Sequence, residues 1–181
     1  MARKITHKTL LILILVLVPP YFLVFTDEGS RISDNVVLWL FGEEAIKLDF
    51  KALDPRYGPA ELRTVFPELD WTCADEQSSF GDSVCTAAIG SVNDYPSRRL
   101  DAFFKGGRLM ALKILYREQY HYQLLGHLIE QLGQPVNVEA AVKATPDAAP
   151  VLEWDSGKGV MVLKKELGPN DEPSLFWLAA R

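Results

Sequence analysis

Apolar and polar positions divide the chain into one long apolar run, several alternating segments and two stretches of helical period. Leu10 to Phe25 holds sixteen residues without a charge, about 24 Å of helix at ~1.5 Å per residue. A bilayer core is about 30 Å thick. Thr9 and Thr26 extend the run, Lys8 can snorkel, and Pro19-Pro20 kinks it. A second, shorter run, Val36 to Phe41, follows Ser33-Asp34-Asn35 and ends at Gly42. It reads either as a short element packed on the domain or as a segment at the membrane interface, with Trp39 and Leu40 at head-group depth.

Beyond it the periods shorten. Ile46, Leu48, Phe50 and Ala52 alternate with Lys47, Asp49 and Lys51, which predicts a strand with one wet face. Asp54 to Gly58 is turn chemistry, and Pro59 opens a helix with Leu62, Val65 and Phe66 on one side, stopped by Pro67. Asp70 to Cys73 and Val84 to Ile89 read as short strands. Leu100 to Phe104 and Arg108 to Tyr116 form a hairpin around Gly106-Gly107. Glu118 to Leu132 is helical, with Tyr120, Leu124, Leu125, Leu128 and Leu132 inward, Gly133 past its end and Pro135 preventing continuation. Val136 to Val142 alternates again. Val151 to Trp154 and Val160 to Lys164 make a second hairpin, and Ser174 to Ala180 is a last strand, apolar on both faces. Such a strand is central, or its second face meets a partner.

The predicted fold is α+β: a mainly antiparallel sheet with two packed helices, preceded by one N-terminal transmembrane helix. Each of the blocks 58–116 and 117–180 runs helix first and then a meander, which suggests a tandem duplication. The domains expected are a cytoplasmic N-terminus over 1–9, a transmembrane signal anchor over 10–26, a juxtamembrane segment over 27–43 and an exported α+β domain over 44–181.

Charge supplies the orientation. Arg3, Lys4 and Lys8 precede the apolar run, and Asp27 and Glu28 follow it, so the N-terminus is expected in the cytoplasm and the domain on the periplasmic side of the inner membrane. The alternative is a secreted protein after signal cleavage, for which Tyr21 to Thr26 offers a poor small-residue site. With three basic residues before the run, 16 of the 19 lysines and arginines and all 24 acids lie beyond it, a net charge of −8. That excludes nucleic acid as an expected partner. Cys73 and Cys85 are the two cysteines. In an oxidising compartment such a pair forms one disulfide, and its spacing fits neither C-x-x-C nor a zinc knuckle.

The run from Glu61 to Cys73, the cysteine pair, the Phe103-Phe-Lys-Gly-Gly-Arg-Leu hairpin, the Leu128–Pro135 helix end and Trp154 to Val162 together resemble uncharacterised anchored or secreted bacterial envelope proteins. More loosely, the helix-plus-meander units are similar to BamE-like outer-membrane assembly lipoproteins and to the tandem β-lactamase-inhibitor-protein fold. The chain has no lipid-attachment cysteine, so the resemblance implies no outer-membrane address, and no functional residue carries over.

Motifs of known chemistry are missing. Gly90-Ser91-Val-Asn-Asp fails as G-x-S-x-G, and neither H-E-x-x-H nor a P-loop occurs. His121 and His127 stand six positions apart on one helix, roughly 240° around it, and each reads as a surface or boundary histidine. Asp75, Glu76 and Asp82 read as a solvated acidic loop, and no spacing pairs Asp49, Asp101 or Glu153 for glycoside chemistry. No catalytic residue, cofactor or metal ligand is assigned. One cluster suggests a partner surface: Tyr116, Tyr120, His121 and Tyr122, whose alternative is core packing. The expectation is a membrane-anchored envelope protein of binding or scaffold type, contacting a protein or wall component. An envelope hydrolase with a site assembled only in three dimensions is the alternative.

Overall fold

A computed structural model describes residues 43–137 and 150–180. The expected anchor over 10–26, the Trp39 and Leu40 contact, and most of the strand expected over Val136–Val142 lie outside the described residues. Among the described residues, no helix is long and apolar enough to cross a membrane.

Among the described residues the fold is α+β, a mainly antiparallel sheet of ten strands with two helices. Helix α1 (Pro59–Val65) begins where Glu61 Oε2 accepts the Gly58 N–H at 3.0 Å, and it ends before Pro67. Four strands follow that form the first half of the main sheet: β2 (Thr72–Asp75), β3 (Ser83–Ala88), β5 (Tyr95–Lys105) and β6 (Arg108–Tyr116). A 3-10 turn (Glu118–Tyr120) leads into α2 (His121–Leu132). Gly133 closes α2 at φ 88°, with its N–H donating to Ile129 O. Strands β7 (Val136–Asn137), β8 (Val151–Asp155), β9 (Gly159–Lys164) and β10 (Ser174–Ala179) complete the sheet. The main order is β2-β3-β5-β6-β10-β9-β8-β7, so the two helix-led meanders meet where β6 pairs antiparallel with β10. The last strand is therefore central.

On one face the cross-strand row Cys85, Ala102, Leu112, Trp177, Met161 and Trp154 is apolar from end to end. Leu62 of α1 and Leu124 and Leu128 of α2 join that core. Backbone and side chain approach closely at Gly159, where an added Cβ would lie 2.5 Å from the Trp177 ring. The Trp177 Nε1–H donates to Ser156 Oγ, which donates to Gly159 O.

The strand expected over Ile46–Ala52 is a correction. Only β1 (Ala45–Ile46) pairs, parallel to β4 (Ser91–Val92), which alternation did not locate. Burial still alternates through Phe50, but the ladder stops because the Asn93 side chain replaces it. Asn93 Oδ1 accepts the Leu48 N–H at 2.8 Å, and its Nδ2 donates to Leu48 O at 2.9 Å. The chain then turns, with the Ala52 N–H donating to Asp49 O, and Leu53 rather than Ala52 enters the core.

Candidate functional site: the open sheet face

Both helices contribute to the core on one side of the sheet, and the opposite face carries its own apolar surface. There the central row reads Thr86, Asp101, Lys113, Phe176, Val162 and Glu153. The next row places Phe103, Ala111, Leu178 and Val160 side by side. Phe103, Phe176, Val160, Val162 and Leu178 are each half-buried. Soluble proteins seldom leave a contiguous apolar patch of this kind without a use for it.

The β2–β3 loop supplies the wall of the site. Cys73 and Cys85 face each other in register at the foot of the loop and are joined, S–S 2.00 Å. Above them Ser78 Oγ accepts the N–H groups of Phe80 and Gly81, and the Asp82 N–H donates to Phe104 O at 2.8 Å. Gly81 passes so near β5 that a Cβ there would sit 2.0 Å from Phe104 O. Held this way, Phe80 lays its ring on the open face, 5.3 Å from the Phe103 ring and 5.6 Å from the Phe176 ring. The residue between those two strands is Ala111, small and fully buried. A register shift between Phe103 and Phe104 marks a bulge at Met110, the extra residue on β6, and bulges re-aim side chains near sites. Phe80, Met110, Val160, Val162, Leu178 and Glu153 line a hollow of about 420 Å³.

Beside the hollow, charged groups are paired. Lys113 Nζ lies 5.7 Å from the centre of the Phe176 ring and forms an ion pair with Glu172. Asp101, itself 3 % exposed, is held by Arg99 at 2.8 Å. Asp171 is held below the usual carboxylate range by Lys164 and by the Gly168 N–H.

The tyrosine and histidine cluster is distributed otherwise. Tyr116, Tyr120 and His121 are interior, with His121 3 % exposed, and Tyr122 alone stands out at 71 %. His121 is thus not a surface or boundary residue, because both of its ring nitrogens are used inside. Lys165 O can only accept, so Nε2 carries the proton at 3.1 Å and Nδ1 accepts the Tyr116 hydroxyl at 2.7 Å. Burial pushes the Tyr116 hydroxyl far up, which keeps it a donor. The four side chains therefore do not share one outer surface. His127 lies elsewhere, its ring 5.2 Å from that of Tyr95, beside a groove of about 430 Å³ of mixed lining that also takes in Lys47, Phe50, Asn93 and Asp94. The Lys47–Asp94 ion pair joins two of these residues.

Among the described residues, no group of three or more His, Cys, Asp or Glu side chains is placed to hold a metal. Sequence reasoning had singled out the second face of β10, but it missed Phe80, Met110 and β9. The signal for β9 was present: Gly159 to Leu163 is apolar at every position, as a strand covered on both sides would be. No protein-family model matches this chain, and no curated protein or solved structure matches it.

Proposed function

We propose that this chain is a non-catalytic binding protein of the bacterial envelope, held at the membrane by residues 10–26, and that it engages a protein partner through the sheet face opposite α1 and α2. One observation carries the reading: a preformed hollow edged by Phe80 on a face that no helix in the described residues covers. Interfaces of this type combine aromatic anchors with a polar rim. The rim here is the set of ion pairs around Lys113, Asp101 and Asp171.

We also read the two halves as a tandem repeat. Helix and four strands of the main sheet recur in the same order, and the antiparallel pair β2–β3 ends the sheet on one side as β7–β8 ends it on the other. Such an arrangement is similar to the tandem inhibitor-protein fold, and it supports binding across the junction of the repeats. The envelope address rests on the charge asymmetry around residues 10–25 and on a disulfide of the kind that persists in oxidising compartments.

The test is chemical crosslinking of the tagged full chain in its native cells. Wild type and Tyr122→Ser capture the same partner, and Val162→Lys combined with Leu178→Lys loses it while keeping the wild-type circular dichroism. Retention of the partner by the double variant overturns the reading.

A further inference from the structure

The hollow beside Phe80 has one charged lining residue, Glu153, on an otherwise apolar floor of Val160, Val162 and Leu178. Glu153 lies opposite Val162 in the ladder, and Asp155, two residues on, lies opposite Val160 on the same face. Among the described residues, no lysine or arginine forms an ion pair with either carboxylate. The neighbouring cations are committed elsewhere: Lys113 to Glu172, Lys164 to Asp171 and Lys158 to Asp54. Lys105 and Arg108 belong to the β5–β6 turn, and β10 and β9 stand between β6 and β8, about 14 Å at the usual strand spacing. Among the described residues, the charge left at the β8 edge of the hollow is therefore negative.

Resting on the reading above, we infer that the occupant is a cationic amphipathic peptide segment: an apolar anchor side chain enters the hollow against Phe80 and Leu178, and an adjacent lysine or arginine of the partner pairs with Glu153 and Asp155. Apolar area supplies most of the binding, and the carboxylates select the sign of the flanking charge. An acidic segment with the same anchor meets two like charges at the rim and is rejected. The disulfide-closed loop enters this account directly, because it presents Phe80 before the partner arrives and less ordering remains to be done on binding.

The test titrates the full chain, in detergent micelles, with two labelled synthetic peptides that share a Leu-Phe anchor, one flanked by lysines and one by glutamates. Fluorescence anisotropy reads the binding. The lysine peptide binds and the glutamate peptide does not. Glu153→Lys weakens the lysine peptide by about tenfold and Glu153→Gln by a smaller factor. Glu130→Lys makes the same change in net charge on the exposed side of α2 and leaves the affinity unchanged, which separates the site from bulk attraction. Equal binding of both peptides, or equal effects of the Glu153 and Glu130 substitutions, overturns the charge selection. If Val162→Lys still abolishes binding in that case, the open face survives as the docking surface. Lysine-peptide binding that ignores Val162→Lys, Leu178→Lys and Glu153→Lys alike overturns both proposals. Failure of both peptides to bind overturns the inference and leaves the crosslinking to judge the face.

Discussion

Gly81 occupies a place where a hydrogen fits and a methyl does not, because an added Cβ would lie 2.0 Å from Phe104 O. Gly81→Ala should therefore cost about 1–3 kcal/mol in urea unfolding, and it should loosen Phe80 from Phe103 and Phe176. The Tyr116–His121 pair is a second single-residue constraint. Tyr116→Phe removes the donor to His121 Nδ1 and leaves a buried acceptor unpaired, a loss of about 1–3 kcal/mol by the same measurement. Asp54 gives a pH dependence. It is buried, and hydrogen bonds from Arg56 and Lys158 hold its carboxyl far below the usual range. A carboxylate whose pKa is lower folded than unfolded stabilises the fold above its unfolded value, near about pH 4, and loses that contribution as the pH falls further. Thermal melts of wild type should thus fall away below about pH 4, whereas Asp54→Asn should start from a lower Tm at neutral pH and fall less steeply.

At the scale of elements, the disulfide joins local structure to the site. Cys73 and Cys85 are directly opposed on β2 and β3 and close the loop that carries Phe80. Replacing both by serine should cost about 3 kcal/mol of stability, and it should weaken partner capture beyond what the lost stability explains. Much at this scale was legible beforehand. Gly106-Gly107 announced the β5–β6 turn, and both glycines have positive φ. Pro59, Pro67, Gly133 and Pro135 bracketed the helices. What escaped had physical causes. Ile46 to Phe50 alternates as a strand does, but an asparagine side chain 45 residues away takes the place of its ladder. The tyrosine cluster carries polar tips that suit an interface or a core, and only the fold reveals that Tyr116 finds its partner in His121.

For the whole molecule, the β6–β10 pairing turns two half-sheets into one surface and leaves an apolar patch around Phe80, Phe176 and Leu178 on its second side. Alternation could not foresee which strands would share that side, since β9 and β10 are apolar at nearly every position and either face could have been the core. The envelope address makes its own prediction at this scale. A C-terminal alkaline phosphatase fusion, active only where its disulfides form, should be active, and a fusion active only in a cytoplasmic reporter would remove the proposed compartment. The most direct measurement is site-specific photocrosslinking of the full chain in intact cells, with the reactive residue placed singly at Val160, Val162 or Leu178 and, on the exposed side of α2, at Gln123 or Glu130. The account predicts one protein adduct from the three sheet positions and none from the helix. Adducts from Gln123 and Glu130, with the sheet positions silent, would contradict it.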